Sequence, residues 1–577
     1  MILKRLVEFW ERGALSLPPG YQNALISKMI RLNADGTLRD VITLSGDKRG
    51  QREGKVMSVP RVVRSSSTRP NLIADNPEYV LGIPKDQNEK ARRRAQERHQ
   101  AYVDLVKRCA HATGIPEVEA LWRWLCAKET AIGDARANVQ PGDELNFEVG
   151  GTVLTDLGDV QRFWAGPAAA AQGTQRCLVT GELMPVEDRM PVKLKGIPGG
   201  QSSGSALVAV NAPAFESYGL KAALNSPISK RAGEAFANAI NFMVGERKHH
   251  LRLGSKSVYL FWTREETAFD VMSFLDAPDP QLVRDMLKSP VSGSNSDAAE
   301  AQDFYALCLS GNSGRTAIRD YLETTIPAVK NSLTVWFRTH QIRDWGTGEL
   351  RQFGIYQLAA SLYLDPNKNI VPSIPAALLR SALTGAPIPS SLLMQALRRN
   401  IATQGPFYML QGRKVISLAR LSLIKAVYLS HRPQEEVNTL QSLEHNNTDP
   451  GYLCGRLLAI LESAQRAASP GIKATLVDRY YGSASSTPAS VFGNLLRMTQ
   501  PHLAKLRKTR EPVFHALERR IVETMEPLRG FPPTLTLQQQ ALFSLGFYHQ
   551  KAHDRAEARA RKELQDLADD ATTDKED

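Results

Sequence analysis

Gly199-Gly-Gln-Ser-Ser-Gly-Ser-Ala-Leu-Val-Ala-Val-Asn-Ala-Pro-Ala-Phe-Glu-Ser-Tyr218 is the stretch on which the reading of this chain turns. Gly199, Gly200 and Gly204 open positive φ to the backbone, while Gln201, Ser202, Ser203 and Ser205 supply short donors and acceptors. Gly199 and Gly204 have the spacing that opens a phosphate-binding P-loop, and Gly200-x-Ser202-x-Gly204 has that of a hydrolase nucleophile elbow. A P-loop needs Lys directly after its last glycine to reach the β and γ phosphates, and Ser205 stands there. An elbow needs a strand before its serine and a helix after it; here Pro198-Gly199-Gly200 precedes Ser202 and a β-like run, Ala206 to Val210, follows. Both motifs fail their context. The loop reads as a hydroxyl-rich finger able to approach an anion, with a Ser-dependent hydrolase or amidase using Gly200-Gln201-Ser202-Ser203-Gly204 as the alternative reading.

Working outward, residues 1–265 alternate strand and helix signals. Leu3, Leu6, Val7 and Trp10 recur at helical spacing before Pro18-Pro19-Gly20. Ala24 to Leu32 is extended, Asn33-Ala-Asp35-Gly36 marks a turn, and Leu38 to Leu44 alternates as the return strand of a hairpin. Val56 to Val63 resumes β character, Asn88 to Ala112 reads as a charged helix, and a further helix carries Leu121, Trp122 and Leu125. Leu145 to Leu154, Arg176 to Val179 and Ser257 to Thr263 read as strands, with a helix at Ser229 to Val244. A polar linker is expected near 288–300. Beyond it the pattern is almost wholly helical, from Thr316 to Tyr321 through Tyr452 to Ala468 and Pro488 to Arg507 to Gln538 to Ala560. The expectation is an α+β fold: a mixed sheet-and-helix region 1–265, a helical middle 266–440, and a C-terminal helical bundle 441–577 whose tail, 568–577, lacks large apolar residues and is expected to be disordered.

With 577 residues, several cores are expected. Lys and Arg together number 72 against 60 for Asp and Glu, a net charge of +12, which favours polyanionic partners. The excess gathers between residues 46 and 108. Five scattered cysteines, Cys109, Cys126, Cys177, Cys308 and Cys454, form no C-x-x-C pair, so neither a disulfide framework nor a zinc ribbon is indicated. The opening segment is too charged for a signal peptide and no apolar run reaches the roughly 18 residues of a membrane span, so a cytoplasmic, membrane-free protein is expected. The 11 histidines show no H-E-x-x-H, and the adjacent His249 and His250 point apart. No catalytic constellation emerges. Nucleic-acid binding, protein scaffolding and an unrecognised enzyme remain as function classes, the first favoured by charge and glycine-bordered polar loops.

Several blocks in order carry a family likeness. Met1-Ile-Leu-Lys-Arg-Leu-Val7, Leu32-Asn-Ala-Asp-Gly-Thr-Leu-Arg-Asp-Val41 and Arg69-Pro-Asn-Leu-Ile-Ala-Asp-Asn-Pro-Glu-Tyr-Val-Leu-Gly82 resemble the large-subunit family of the CRISPR type I-C Cascade complex. So do Cys177-Leu-Val-Thr-Gly-Glu182, the Gly199 to Gly204 loop, Asn211 to Tyr218, Asn225-Ser-Pro-Ile-Ser229 and Leu545-Gly-Phe-Tyr-His-Gln550. The resemblance implies a non-catalytic, cofactor-free subunit that works with crRNA, a repeated backbone subunit, a handle-binding subunit and a small subunit. Such a protein recognises the protospacer-adjacent motif (PAM) in double-stranded DNA, promotes R-loop formation, holds the displaced strand and recruits a helicase-nuclease of the Cas-three type. PAM contacts are then expected from Arg64, Arg69, Asn71 and Asn76 on one loop and Gln201, Ser202 and Ser203 on the other, as short polar groups suited to the minor groove. Lys48, Arg49, Arg52, Lys55, Arg92, Arg93 and Arg94, with Arg497, Lys505, Arg507 and Lys508 on a C-terminal helix, are the phosphate-contact candidates. The resemblance also implies a separately translated C-terminal product starting within Val437 to Leu453, where the absence of Met between Met409 and Met498 would require a non-AUG start.

Overall fold

The structure is a computed structural model that describes residues 2–573 apart from 13–16, 19, 46–53, 63, 65–67, 87, 128, 167–173, 187–189, 211–212, 255, 289–301 and 411–412. The chain divides into two compact units, Met1–Arg247 with Leu309–Tyr321, and Lys248–Cys308 with Leu322–Asp577. The strands Asp303–Asn312 and Arg315–Thr325 contribute residues to both.

The first unit is built on a four-stranded sheet in the order Leu38–Thr43, Lys28–Leu32, Leu145–Val149, Thr152–Val153. The Asn33 to Gly36 turn closes the first hairpin: Gly36 N donates to Asn33 O at 2.9 Å, and Asp35 Oδ1 accepts from Thr37 N at 2.8 Å. Lys28–Leu32 then pairs in parallel with Leu145–Val149, which needs the long helical crossover between them. That crossover holds the helix Glu89–Thr113, started by Asn88, whose Oδ1 accepts from Ala91 N at 2.8 Å, and ended by the left-handed Gly114. Its buried Tyr102, Leu105, Val106 and Cys109 fall at helical spacing and join Leu121, Trp124, Ile30 and Phe147 in one core. A separate ribbon pairs Tyr21–Ile26 with Lys55–Pro60, antiparallel.

In the second unit the strands His250–Leu253 and Ser257–Thr263 continue the sheet that the Asp303 to Thr325 hairpin edges. The helix expected at Thr316 to Tyr321 is thus a strand. Hairpin pairing with the preceding strand Asp303–Asn312, in which Phe304 to Leu309 are all buried, outweighs the short helical pattern. A second departure from the all-helical expectation is the hairpin Phe407–Leu410 with Arg413–Ile416. A short ribbon also pairs Ile342–Arg343 with Leu350–Arg351; the other segments expected as helices are helical, and helix Pro450–Ala468 packs along Leu537–Thr573. Their backbones come so close that a Cβ on Gly455 would lie 2.9 Å from Phe543 C. The long helix runs through 568–573, expected as disordered, and 574–577 lie outside the described residues, as do residues 289–300 of the linker expected near 288–300. The α+β class holds, and no helix among the described residues is long and apolar enough to cross a membrane.

Candidate nucleic-acid interface

The arginine-asparagine loop is organised around Asp75, which is fully buried. Its carboxylate accepts from the Arg64 guanidinium, from Asn71 N at 2.8 Å and from Asn76 N at 2.8 Å. Burial pushes the Asp75 carboxyl upward, and these three donors oppose that push. Arg64 also donates to Arg69 O at 2.7 Å and lies 4.0 Å over the Tyr79 ring. Asn71 is buried and its Oδ1 accepts from Val62 N at 2.9 Å, while Asn76 caps the helix Pro77–Val80. Arg64, Asn71 and Asn76 therefore spend polar groups on holding the loop, and of the four expected contacts here Arg69 is the one whose side chain is exposed. Lys55 is exposed at a strand start, and Lys48, Arg49 and Arg52 lie outside the described residues.

The glycine-rich loop meets the tip of the Asp303 to Thr325 hairpin within the first unit. Gly311 N donates to Pro198 O at 2.7 Å, Ser313 N to Gly199 O at 3.1 Å, Gln201 N to Ser313 O at 3.0 Å and Ala206 N to Gly314 O at 2.9 Å. The Ser205 hydroxyl is buried and shares a 2.6 Å hydrogen bond with that of Thr316. The glycines serve this crossing. Gly199 has φ 79° and a Cβ there would sit 2.5 Å from Gly311 O; Gly204 has φ 95° and a Cβ would sit 2.8 Å from Lys193 Cβ. Gly204 N donates to Gln201 O at 2.9 Å, closing a turn that leaves Gln201, Ser202 and Ser203 exposed, with Gln201 Nε2 on Ser313 Oγ at 3.1 Å. No helix follows Ser202; the chain pairs as isolated bridges at Ser205 and Ala206, so the geometry of a nucleophile elbow is absent.

The model of the family described as CRISPR-associated protein (Cas_Csd1) matches residues 6–554. The chain belongs to this family. No curated protein matches it. The family agrees with the resemblance drawn from the sequence blocks, and the match spans both units of this CRISPR-associated chain.

The remaining basic candidates of the Csd1 chain lie on two helices. Arg92, Arg93 and Arg94 are exposed on Glu89–Thr113, where Arg93 pairs with Glu97 at 3.1 Å. Arg497, Lys505, Arg507 and Lys508 are exposed on Pro488–Thr509, opposite the buried Leu495, Thr499, Leu503 and Leu506. Among the described residues no His, Cys, Asp or Glu cluster is arranged to hold a metal. Cys177 is buried; burial pushes its thiol up, but donation from Ser229 and Thr180 outweighs this and leaves it at about 7. Sequence reasoning missed the hairpin tip Asn312, Ser313, Gly314 and Arg315, all exposed beside the glycine loop. Its signal was the turn-forming Gly311-Asn-Ser-Gly314 between two β-compatible runs.

Proposed function

We propose that this Csd1-family chain is the large subunit of a type I-C Cascade effector. It recognises the PAM in double-stranded DNA, promotes R-loop formation, stabilises the displaced strand and recruits the helicase-nuclease, performing no bond chemistry itself. Guide pairing then reads sequence, and this subunit reads a short duplex element. Its partners are crRNA, the backbone, handle-binding and small subunits, and target DNA.

The observation that carries the reading is the exposed Gln201, Ser202 and Ser203 turn, fixed by four backbone hydrogen bonds to the hairpin tip in a chain of net charge +12. A rigidly held turn of short donors is suited to base-edge acceptors in the minor groove, and Arg69 and Arg315 are exposed basic residues of the same unit. Replacing Gln201, Ser202 and Ser203 together by Ala in the assembled complex is expected to erase most discrimination between PAM-bearing and PAM-scrambled targets, about tenfold or more in affinity at fixed salt. Unchanged target affinity with unchanged PAM preference would remove the assignment.

A further inference from the structure

Between the short 3-10 turn Pro213–Phe215 and the helix Lys230–Gly245, the first unit makes a tight turn at Ser217 to Leu220. Leu220 N donates to Ser217 O at 2.9 Å, and both central residues have positive φ, Tyr218 at 53° and Gly219 at 71°. Two consecutive positive φ values make a type I′ turn, whose first central position suits Asn, Asp or Gly. A bulky aromatic side chain there is strained. The neck is stapled by Asn225, whose Oδ1 accepts from Ser217 N at 2.9 Å and Ser217 Oγ at 2.8 Å, and whose Nδ2 donates to Leu220 O at 2.5 Å. At the tip Tyr218 is 98% exposed. The strain gains no packing within the chain, which directs attention to a partner outside it.

The surroundings indicate which partner. Phe215, three residues earlier, is 47% exposed, and the Arg315 guanidinium lies 4.3 Å over its ring. Arg315 also bridges to Ala206 through the backbone, so this aromatic pair is continuous with the Gln201 to Ser203 turn and the hairpin tip. Lys221 is exposed immediately after the turn, and Lys193 and Lys195 flank Leu194, which pairs with Ser205 of the glycine loop. Glu216 is the single acidic residue in the exposed stretch from Pro213 to Lys221. An aromatic face next to several cations fits a group that is flat and carries phosphate on either side, which is a nucleotide within a strand.

We propose that Tyr218 stacks on an unpaired base of the bound DNA, with Arg315 and Lys221 meeting the adjoining phosphates. The inference rests on the DNA-binding reading above and assigns residues to its unpaired state: the Gln201 to Ser203 turn addresses paired DNA, and the Tyr218 turn addresses DNA whose bases have opened.

The test uses the purified full chain with two probes of equal sequence, a fully paired duplex and the same duplex with a central mismatched bubble containing 2-aminopurine. The wild type is expected to favour the bubble and to quench 2-aminopurine fluorescence. Tyr218→Ala should lower bubble affinity about tenfold, the order of one base stack, abolish the quenching and leave duplex affinity unchanged. Tyr218→Phe should keep both signals. Tyr218→Asn, which relieves the turn, should bind like the Ala variant while its Tm equals or exceeds that of the wild type. An Ala variant with intact bubble preference and quenching overturns the stacking role; if duplex affinity still falls steeply with salt, the DNA reading stands without it. Absence of salt-sensitive DNA affinity in every form removes both. Loss of a protein subunit from the assembled complex on Tyr218→Ala, with DNA affinity intact, overturns the proposal in favour of a protein contact.

Discussion

The seating of the glycine loop on the hairpin tip predicts a specific consequence of Gly311→Ala. A Cβ at residue 311 would stand 2.6 Å from Gly200 Cα and 2.7 Å from Gly199 C, both backbone atoms with no rotamer to yield. The two strands of backbone must part. Three hydrogen bonds then go together: Gly311 N to Pro198 O, Ser313 N to Gly199 O and Gln201 N to Ser313 O. At about 1 kcal/mol net for each, the local cost is about 3 kcal/mol, or roughly a hundredfold in the opening equilibrium. Hydrogen exchange read on peptides spanning Gly196 to Leu207 and Leu309 to Ile318 should show that loss of protection. Gly200→Ala is the control, because Gly200 lies outside the left-handed region and its Cβ would meet Ile197 O at 3.1 Å and Ser205 Oγ at 3.2 Å, contacts a small shift relieves. It should cost less than about 1 kcal/mol. Protection in both peptides of the Gly311→Ala protein within about threefold of wild type, a shift under about 0.7 kcal/mol, would refute the reasoning.

Two further predictions concern the second unit. Lys425 is fully buried, its ammonium donating to Arg338 O at 3.3 Å and Gln341 O at 2.8 Å, and burial lowers it from 10.5 to about 7. Between these values the unfolded chain holds a proton that the folded chain has released, so stability rises with pH across roughly 7 to 10, at up to about 1.4 kcal/mol per pH unit. Urea midpoints at pH 7 and 9 should show the rise in wild type and lose it in Lys425→Met; a stability that falls over this range contradicts the argument. Arg420 is 1% exposed and reaches no carboxylate among the described residues, donating instead to Ser361 O at 2.9 Å, Asn400 Oδ1 at 3.2 Å and Phe407 O at 3.2 Å. Arg420→Ala strips donors from buried acceptors and is expected to destabilise by about 3–5 kcal/mol, read as a lowered urea midpoint. A loss below about 1 kcal/mol would show that these acceptors find other donors.

Elements defined by neighbours in sequence were legible. The Asn33 to Gly36 turn and the helices read over Asn88 to Ala112 and Tyr452 to Ala468 are specified by residues within a few positions of one another. What escaped depends on which segment each stretch pairs with, near or far. Arg315–Thr325 becomes a strand because of Asp303–Asn312, and the Gly199 to Ala206 loop finds its partner more than a hundred residues away, as the Gln201 to Ser313 contact shows. The same holds for the candidate site. Asn71 and Asn76 have the composition of base readers, but only the fold reveals that Asp75 is buried and that both asparagines are taken up in the loop and cap around it. Conversely, Tyr218 looks ordinary in sequence, and its positive φ and exposure become visible only in three dimensions.

The two basic helices, alike as lists of cations, are unequal as polyanion surfaces. Glu89–Thr113 interleaves Glu89, Glu97 and Asp104 with its arginines; Arg93 pairs with Glu97, and Arg98 with the buried Glu78 of the neighbouring helix. Two of the seven cations on that helix, Arg93 and Arg98, are thus compensated within the protein, which lowers the counterion release each can supply. Pro488–Thr509 contains no Asp or Glu at all. Within it the cations still differ, since Arg507 and Lys508 line a groove with Glu511 and Glu518, and Arg507 lies 5.9 Å over the Phe514 ring. Arg497 and Lys505 are clear of that groove, with Asn494 as the hydrogen-bond partner of Arg497 at 2.9 Å. Counterion release depends on charge that remains uncompensated until the strand arrives. By that criterion Arg497 and Lys505 are better placed than Arg93 for the strand contact proposed above, although the N-terminal run has the denser sequence of arginines.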